Sequence, residues 1–466
     1  MNKLLLLAFI LAFFISPSCK KDSFIQSSDA RIGFSADSLQ FDTVFTSTGS
    51  VTQSVKIINL NDQKLMLSDI RLSGGTQSPF SINTDGSPGP ELQDIEIAAN
   101  DSIYIFVTVK INPSSANLPF IIRDSIEVSY NSNQRWIQLE AWGQNAHFLQ
   151  HDTIHSNTVW TNDLPYVILG SLLVDTQATL TIQKGTRIYF HADAPLLVDG
   201  TLLVNGEKED STRVYFLGDR LDDPYKNYPG SWPGIFFRTG CKDNLLEFAV
   251  IRNAYQGIVA QDPSLNANPK LVLHECIIDN IYNEGILGIQ TSIQARNCLV
   301  SNAGSNVVLG YGGDYLFQHC TLASYSNNYL LHQAPVLAVC NYLTQGSQTF
   351  ISDLNAQFTN CIFWGDSGVV DNEVLVSKQG NSIFDVNFDH CLWRAKNIPT
   401  GVDTSGIMLN ADPAFLLINN QKMIYNFRLA AGSPAIDQGI DAGDLLDLDG
   451  NIRPIGLPDL GCYEKQ

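Results

Sequence analysis

Positive charge is scarce in this sequence: 28 Lys plus Arg stand against 47 Asp plus Glu, a formal net charge of −19. A nucleic-acid partner needs clustered cations for its phosphates, so this balance excludes one. It also argues against adhesion to anionic lipid through a basic face. Metal and nucleophile motifs are missing as well. The nine cysteines include no C-x-x-C pair, and no H-E-x-x-H, G-x-S-x-G or phosphate loop occurs. Long apolar runs are limited to residues 4–15, whose twelve residues fall short of the roughly 20 that span a bilayer.

That run follows Lys3 and suits the core of an export signal. Ser16-Pro17-Ser18-Cys19 comes next. A small residue directly before a single early cysteine resembles a bacterial lipobox. The resemblance implies that residues 1–18 are a signal peptide and that Cys19 carries lipid. It also implies a cell-envelope location, as an outer-membrane lipoprotein on the periplasmic or outer face. Ser16 departs from the leucine usual at that place, and Ser16 and Ser18 also fit ordinary signal-peptidase cleavage. Residues 19–31 are polar and are expected to form a tether.

What is abundant is a repeat. Cysteine recurs in one setting at Cys276, Cys298, Cys320, Cys361 and Cys391, the first three 22 residues apart. A fixed period in this range marks a solenoid. Counted from each cysteine as zero, apolar residues fill −3 (Leu273, Phe317, Phe358, Phe388) and +2 (Ile278, Val300, Leu322, Phe363, Trp393). Strand side chains alternate, so the odd step from −3 to 0 cannot keep both inside without a bend. Position −1 holds Glu275, Asn297, His319, Asn360 and His390, and Asn and His tolerate a left-handed backbone well. The cysteines are expected to form an interior packing ladder, with Ala249 filling the same position one coil earlier. Disulfides between stacked coils would require local strain.

The phrases Val167-Ile168-Leu169-Gly170, Leu180-Thr181-Ile182-Gln183 and Leu196-Leu197-Val198-Asp199-Gly200 precede that repeat. With Trp232-Pro233-Gly234-Ile235, they resemble the opening coils of right-handed parallel β-helix proteins of the pectin-lyase-like type. Phe427-Arg428-Leu429 through Asp459-Leu460-Gly461-Cys462 resembles the C-terminal signature of exported bacterial β-helix proteins. That resemblance implies a cap over the last coil. The β-helix is expected over residues 146–466, with about a dozen coils between Val159 and the C-terminus.

Residues 32–145 read differently. Alternating strands are predicted at 51–60, 65–72, 94–98, 102–111, 120–130 and 135–141, separated by Gly and Pro turns. The spacing indicates an antiparallel β-sandwich, which resembles an immunoglobulin-like module. The fold class expected is all-β: this sandwich, then the β-helix solenoid.

Candidate site residues are few. Asp222, Asp223, Tyr225, Tyr228 and Trp232 interrupt the early coils, where aromatics beside carboxylates can stack on a sugar and bond its hydroxyls; the alternative is a loop packed by its own aromatics. Asp444, Asp447 and Asp449 are the Ca²⁺ candidates, although their spacing is not the twelve-residue calcium loop and turn-making is the plainer role. No cofactor is required. His147, His151 and His155 would lie about 13 Å apart on an extended strand, too spread for one metal. The β-helix resemblance implies an alternative as polysaccharide lyase or glycoside hydrolase on an acidic polysaccharide. Hydrolysis with inversion needs two carboxyls about 6.5–9.5 Å apart, and no repeat-aligned cluster supplies catalytic residues. The reading favoured is a non-catalytic, membrane-anchored lipoprotein binding a glycan or a protein partner.

Overall fold

A computed structural model describes residues 23–45, 49–112, 120–366 and 368–466. Cys19 and the signal segment lie outside them. The described residues are all-β, with two three-residue 3₁₀ turns. Contacts divide the chain into two compact units, 1–145 and 146–466.

The first unit has two five-stranded sheets. One core is filled from both, with Val55, Ile57, Ile105 and Val107 from one sheet and Leu65, Leu67, Ile126 and Ile137 from the other, all fully buried. Strand Ser102–Val109 alternates buried and outward residues, the pattern of a sheet with one wet face. Strands Ser38–Phe45 and Phe80–Thr84 were not predicted. Ser38–Phe45 pairs in parallel with Asn133–Gln144, a long-range partnership that local pattern does not announce. Residues 24–31, expected to belong to the tether, are instead held by the first unit. Phe24 bridges to Lys64, Asn131 holds the carbonyls of Ile25 and Ser27, and Ala30 is buried.

The second unit stacks its strands in parallel, with equivalent residues in register coil after coil. The +2 column runs Tyr166, Ile188, Phe216, Ile251, Ile278, Val300, Leu322, Phe363 and Trp393. The −3 column includes Phe317, Phe358 and Phe388, whose ring centroids lie 5.5 and 4.7 Å apart in succession. Each such ring removed from water contributes about 1.5–3 kcal/mol, which offsets the ordering of an irregular coil. Glu275, Asn297, His319, Asn360 and His390 have φ between 49° and 55°. Phe248, ahead of Ala249, has φ 46°. A second left-handed corner stands at +4, on Asn253, Asn280 and Asn302.

Cys276, Cys298, Cys320, Cys361 and Cys391 are free and fully buried. Each of the last four donates to the −3 carbonyl of the coil before it, at 3.5–3.6 Å. A small polarizable group that can make a weak bond there suits the position.

The solenoid stops earlier than a dozen coils filling the segment would require. Its last parallel pairs are Leu392↔Met408 and Trp393↔Leu409. The chain then forms an antiparallel hairpin, Phe415–Asn419 with Ile424–Leu429. The remaining segment is not simply a lid on the last coil. It lies along the outside of several coils, over the outward +1 column. Leu299 packs with Leu448, Cys462 and Tyr463, and Ile362 and Leu392 pack with Ala435 and Leu460. An outward column this apolar could not remain wet, and the terminal segment buries it.

Candidate functional site

The strand after the bend ends in a polar column at +3: Arg252, Asp279 and Ser301, then Ala323 and Trp364. Asp279 is its hub. It accepts from Arg252 at 2.8 Å, Ser301 at 2.8 Å and the Asn302 amide at 3.0 Å. The left-handed asparagines beside it form a ladder. Asn280 donates to Asn253 and to the Asn227 carbonyl, both at 2.8 Å, and Asn253 donates to the Lys226 carbonyl at 2.7 Å. Through these bonds the coil wall holds the 225–228 loop.

Two hollows follow this column. The smaller, about 90 Å³, lies among Arg252, Asp279, Asn302, Lys422 and Tyr425. The larger, about 400 Å³ and open, is lined by Tyr325, Trp364, Asp366, Arg394, Asp412 and Asn420. The stacked rings of Tyr325 and Tyr425, 6.3 Å apart, stand between them. Four oxygens in these hollows are buried without a partner: Oδ1 of Asn302, Asp366 and Asn420, and the Tyr425 hydroxyl. A buried unsatisfied oxygen costs about 1–3 kcal/mol unless something binds it. Burial, with the Asp412, Asp366 and Glu373 carboxylates nearby, pushes the Tyr325 phenol well up, so it stays a proton donor. Behind the larger hollow, His332 meets Glu373 at 2.9 Å with both side chains buried. Gly365 leaves room for this pair; a Cβ there would come within 2.2 Å of both.

The two hollows together form a trough, and the loop that lends Asn227 to the smaller one also carries Tyr225 and Tyr228. Tyr225 and Tyr228 meet edge-on at 5.2 Å, and Tyr228 meets Tyr329 at 4.7 Å. Tyr255 and Tyr282 stack at 5.2 Å, each about half exposed (48% and 51%), so their faces are available to a ligand. The Gly230 backbone packs beside that stack, which joins the two groups into one band.

The residues singled out in the 221–232 loop separate in the structure. Tyr225 and Tyr228 are on the surface of this band. Trp232 is not a ligand contact: it is fully buried, stacks on Phe190 at 4.3 Å and donates to the Arg252 carbonyl. Asp222 is held by Arg220 at 2.8 and 2.9 Å, and Asp223 by Lys226 at 2.9 Å, so both first serve the loop itself.

Asp444, Asp447 and Asp449 are not brought together on one ion. Asp447 is buried and accepts the backbone N–H of Asp449, Asn451 and Glu464. Asp449 forms a two-point pair with Arg428, and Asp444 lies 3.6 Å from Arg296. Among the described residues, no group of three or more His, Cys, Asp or Glu is placed to hold a metal. His147 pairs with Asp163 and His155 with Asp175, each at 3.1 Å.

Sequence reasoning missed Asp279, Asn302, Asp366 and Asn420. The recurrence of Asn at +4 was a visible signal. Nothing local marks Asp366 or Asn420, which meet only because the 415–429 hairpin folds back.

No family model matches the chain, and no curated protein matches it. Solved structures show slight likeness. A family 123 glycoside hydrolase from Clostridium perfringens is 11% identical, TM-score 0.18, over 26% of this chain and 30% of that one. A protein of unknown function from Porphyromonas gingivalis W83 is 8% identical, TM-score 0.18, over 27% of this chain and 60% of that one. The chain thus spans less than two thirds of either. The catalytic unit of a GH87 α-1,3-glucanase from Streptomyces thermodiastaticus is 9% identical, TM-score 0.21, over 76% of this chain and 87% of that one. Likeness at these scores carries no inference about fold or activity.

Proposed function

We propose that this protein is a cell-envelope lipoprotein anchored through Cys19. Its first unit serves as an immunoglobulin-like spacer. Its solenoid, a right-handed parallel β-helix of the pectin-lyase-like type, binds a glycan in the trough without turning it over. The observation that carries the binding reading is the set of four unpartnered oxygens, on Asn302, Asp366, Asn420 and Tyr425, near the exposed Tyr225 and Tyr228. A sugar offers what both need: hydroxyl donors for the oxygens and an apolar ring face for the aromatics.

The test is a glycan array probed with the full chain in detergent, followed by titration of the best ligand. Tyr228→Ala is expected to weaken binding roughly tenfold, the scale of one lost aromatic contact. Asp366→Asn is expected to weaken it as well. Full affinity in both variants would remove the ligand from the trough. Cys19→Ala tests the anchor by membrane fractionation; unchanged membrane association would count against lipidation.

A second reading is hydrolysis. It is favoured by Asp366 and Asp412, two carboxylates that line the same open hollow beside Arg394. Shortened products on incubation with bound glycans would replace the binding-only reading. Binding without turnover across a broad panel would retain it.

A further inference from the structure

A second groove lies on another side of the coil. The trough is built at +3 to +5, after the bend; this groove is built before it. Outward residues of the strand that leads into the bend stack in two columns. At −6 stand Ser292, Asp314, Asn355 and Asp385, and at −4 stand Gln294, Leu316, Gln357 and Asn387. Over the first three coils these columns floor a cleft of about 610 Å³.

The cleft has built walls. One is the 263–269 loop, where the amides of Asn266 and Asn268 converge on the Asp243 carboxylate at 2.7–2.9 Å. The other carries Ser352, Asp353 and Ile383. Asn355 links two coils of the floor by donating to Asp314 at 2.8 Å, and within its own strand Gln357 donates to Asn355 at 2.8 Å. One polar group is left over. Thr291 lines the cleft, is 2% exposed, and its hydroxyl has no partner.

The chemistry of the lining narrows the ligand. It contains no Lys, Arg or His and no aromatic ring, but it does contain Asp314 and Asp353. A polyuronate would meet carboxylates with no cation to neutralise them. A sugar that needs ring stacking would find no platform. A chain rich in hydroxyl groups finds amide, hydroxyl and carboxylate partners throughout. The columns repeat about every 4.8 Å along the solenoid axis. A chain of pyranose units repeats on a similar length, so successive sugars laid along the axis would meet equivalent side chains.

We propose that this cleft binds a linear, uncharged polysaccharide running along the solenoid axis. The site is separate from the trough and does not depend on it. With both occupied, one anchored protein would hold two glycan segments, and avidity would follow from their linkage.

The experiment is calorimetric titration of the full chain in detergent with uncharged glucan and mannan oligosaccharides of increasing length. Oligouronates and hexosamine oligomers run alongside. Affinity for an uncharged series is expected to rise with length until the chain spans the floor, then level. Asp314→Ala is expected to lower it about tenfold, the scale of a lost hydrogen bond to a charged group. Thr291→Val serves as the variant that folds, because its hydroxyl has no partner to lose. It should keep the melting temperature and still weaken binding severalfold. Tyr228→Ala should leave this binding unchanged. Three results would each overturn the proposal: no uncharged oligomer binds, oligouronates or hexosamine oligomers bind better, or Asp314→Ala and Thr291→Val both bind at full affinity. Loss with Tyr228→Ala alone would assign the ligand to the trough.

Discussion

Arg453 and Glu464 form an ion pair at 3.0 Å with both side chains fully buried. Arg453 also donates to the Asn297 side chain at 2.8 Å and to the Gly461 carbonyl at 2.9 Å. One guanidinium thus ties the terminal segment to a bend residue of the solenoid. Removing one partner of such a pair leaves a buried charge uncompensated, which costs about 3–5 kcal/mol. Glu464→Ala is expected to lower the unfolding free energy of the second unit by that amount, read from its denaturation curve. A change under about 1 kcal/mol would show that the segment does not stabilise the coils.

The cysteine ladder should be chemically silent. Burial pushes the thiols of Cys276, Cys298, Cys320 and Cys361 well above the ordinary range, so little thiolate exists at neutral pH. Iodoacetamide is expected to leave these four unlabelled in the native protein and to label them after denaturation, read by peptide mass spectrometry. Cys298→Ala should cost only about 1 kcal/mol, since Ala249 occupies the equivalent place. Cys298→Leu should cost more, through overpacking.

Glu275 makes the bend ladder pH-sensitive. Burial, then the nearby Asp444 and Glu247 carboxylates, raises its carboxyl to about 7, against the opposing influence of Asn297 and Arg213. The native state therefore holds a proton that the unfolded chain releases between about pH 4.5 and 7. Stability is expected to fall as pH rises through that window, by on the order of 3 kcal/mol from this group. Asp444, Asp447 and Asp459 are also raised by burial and act in the same direction. Glu275→Gln should flatten the pH dependence of the melting temperature. An unchanged slope would place the titration elsewhere.

Trp232 and Tyr228 should behave oppositely although only three residues separate them. Trp232→Ala opens a cavity against Phe190 and is expected to cost about 3–5 kcal/mol. Tyr228→Ala, on a partly exposed ring, should change stability by under about 1 kcal/mol while weakening glycan binding. Chemical denaturation and titration of the two variants separate the roles.

The coil was legible because its constraint is local and repeated. Apolar residues at −3 and +2 demand a common interior, strand parity forbids it without a bend, and Asn297, His319, Asn360 and His390 can make that bend. The same parity argument explains why the cysteines line a core without being a chemical motif. The trough was not legible as a whole, because the recurring Asn at +4 is related by no period to the residues that face it. Asp279 and Asn302 come from coils, Asp366 follows a strand end, and Asn420 arrives on a hairpin that returns after the solenoid has ended. Trp232 shows the same limit from the other side. Its loop composition reads as exposed, and only the position of Phe190 one coil earlier buries it.

Composition, period and parity therefore specify the class of fold, the stacking of coils and the residues that turn the corners, because each depends on neighbours within one repeat. Which outward column stays wet is decided by long-range packing. The +1 column is covered because residues 434–466 fold back along it, the +3 column is narrowed to two hollows by the 415–429 hairpin, and the −6 column remains open between two loops. A strand pattern records that a residue points outward; only the tertiary structure decides what meets it there.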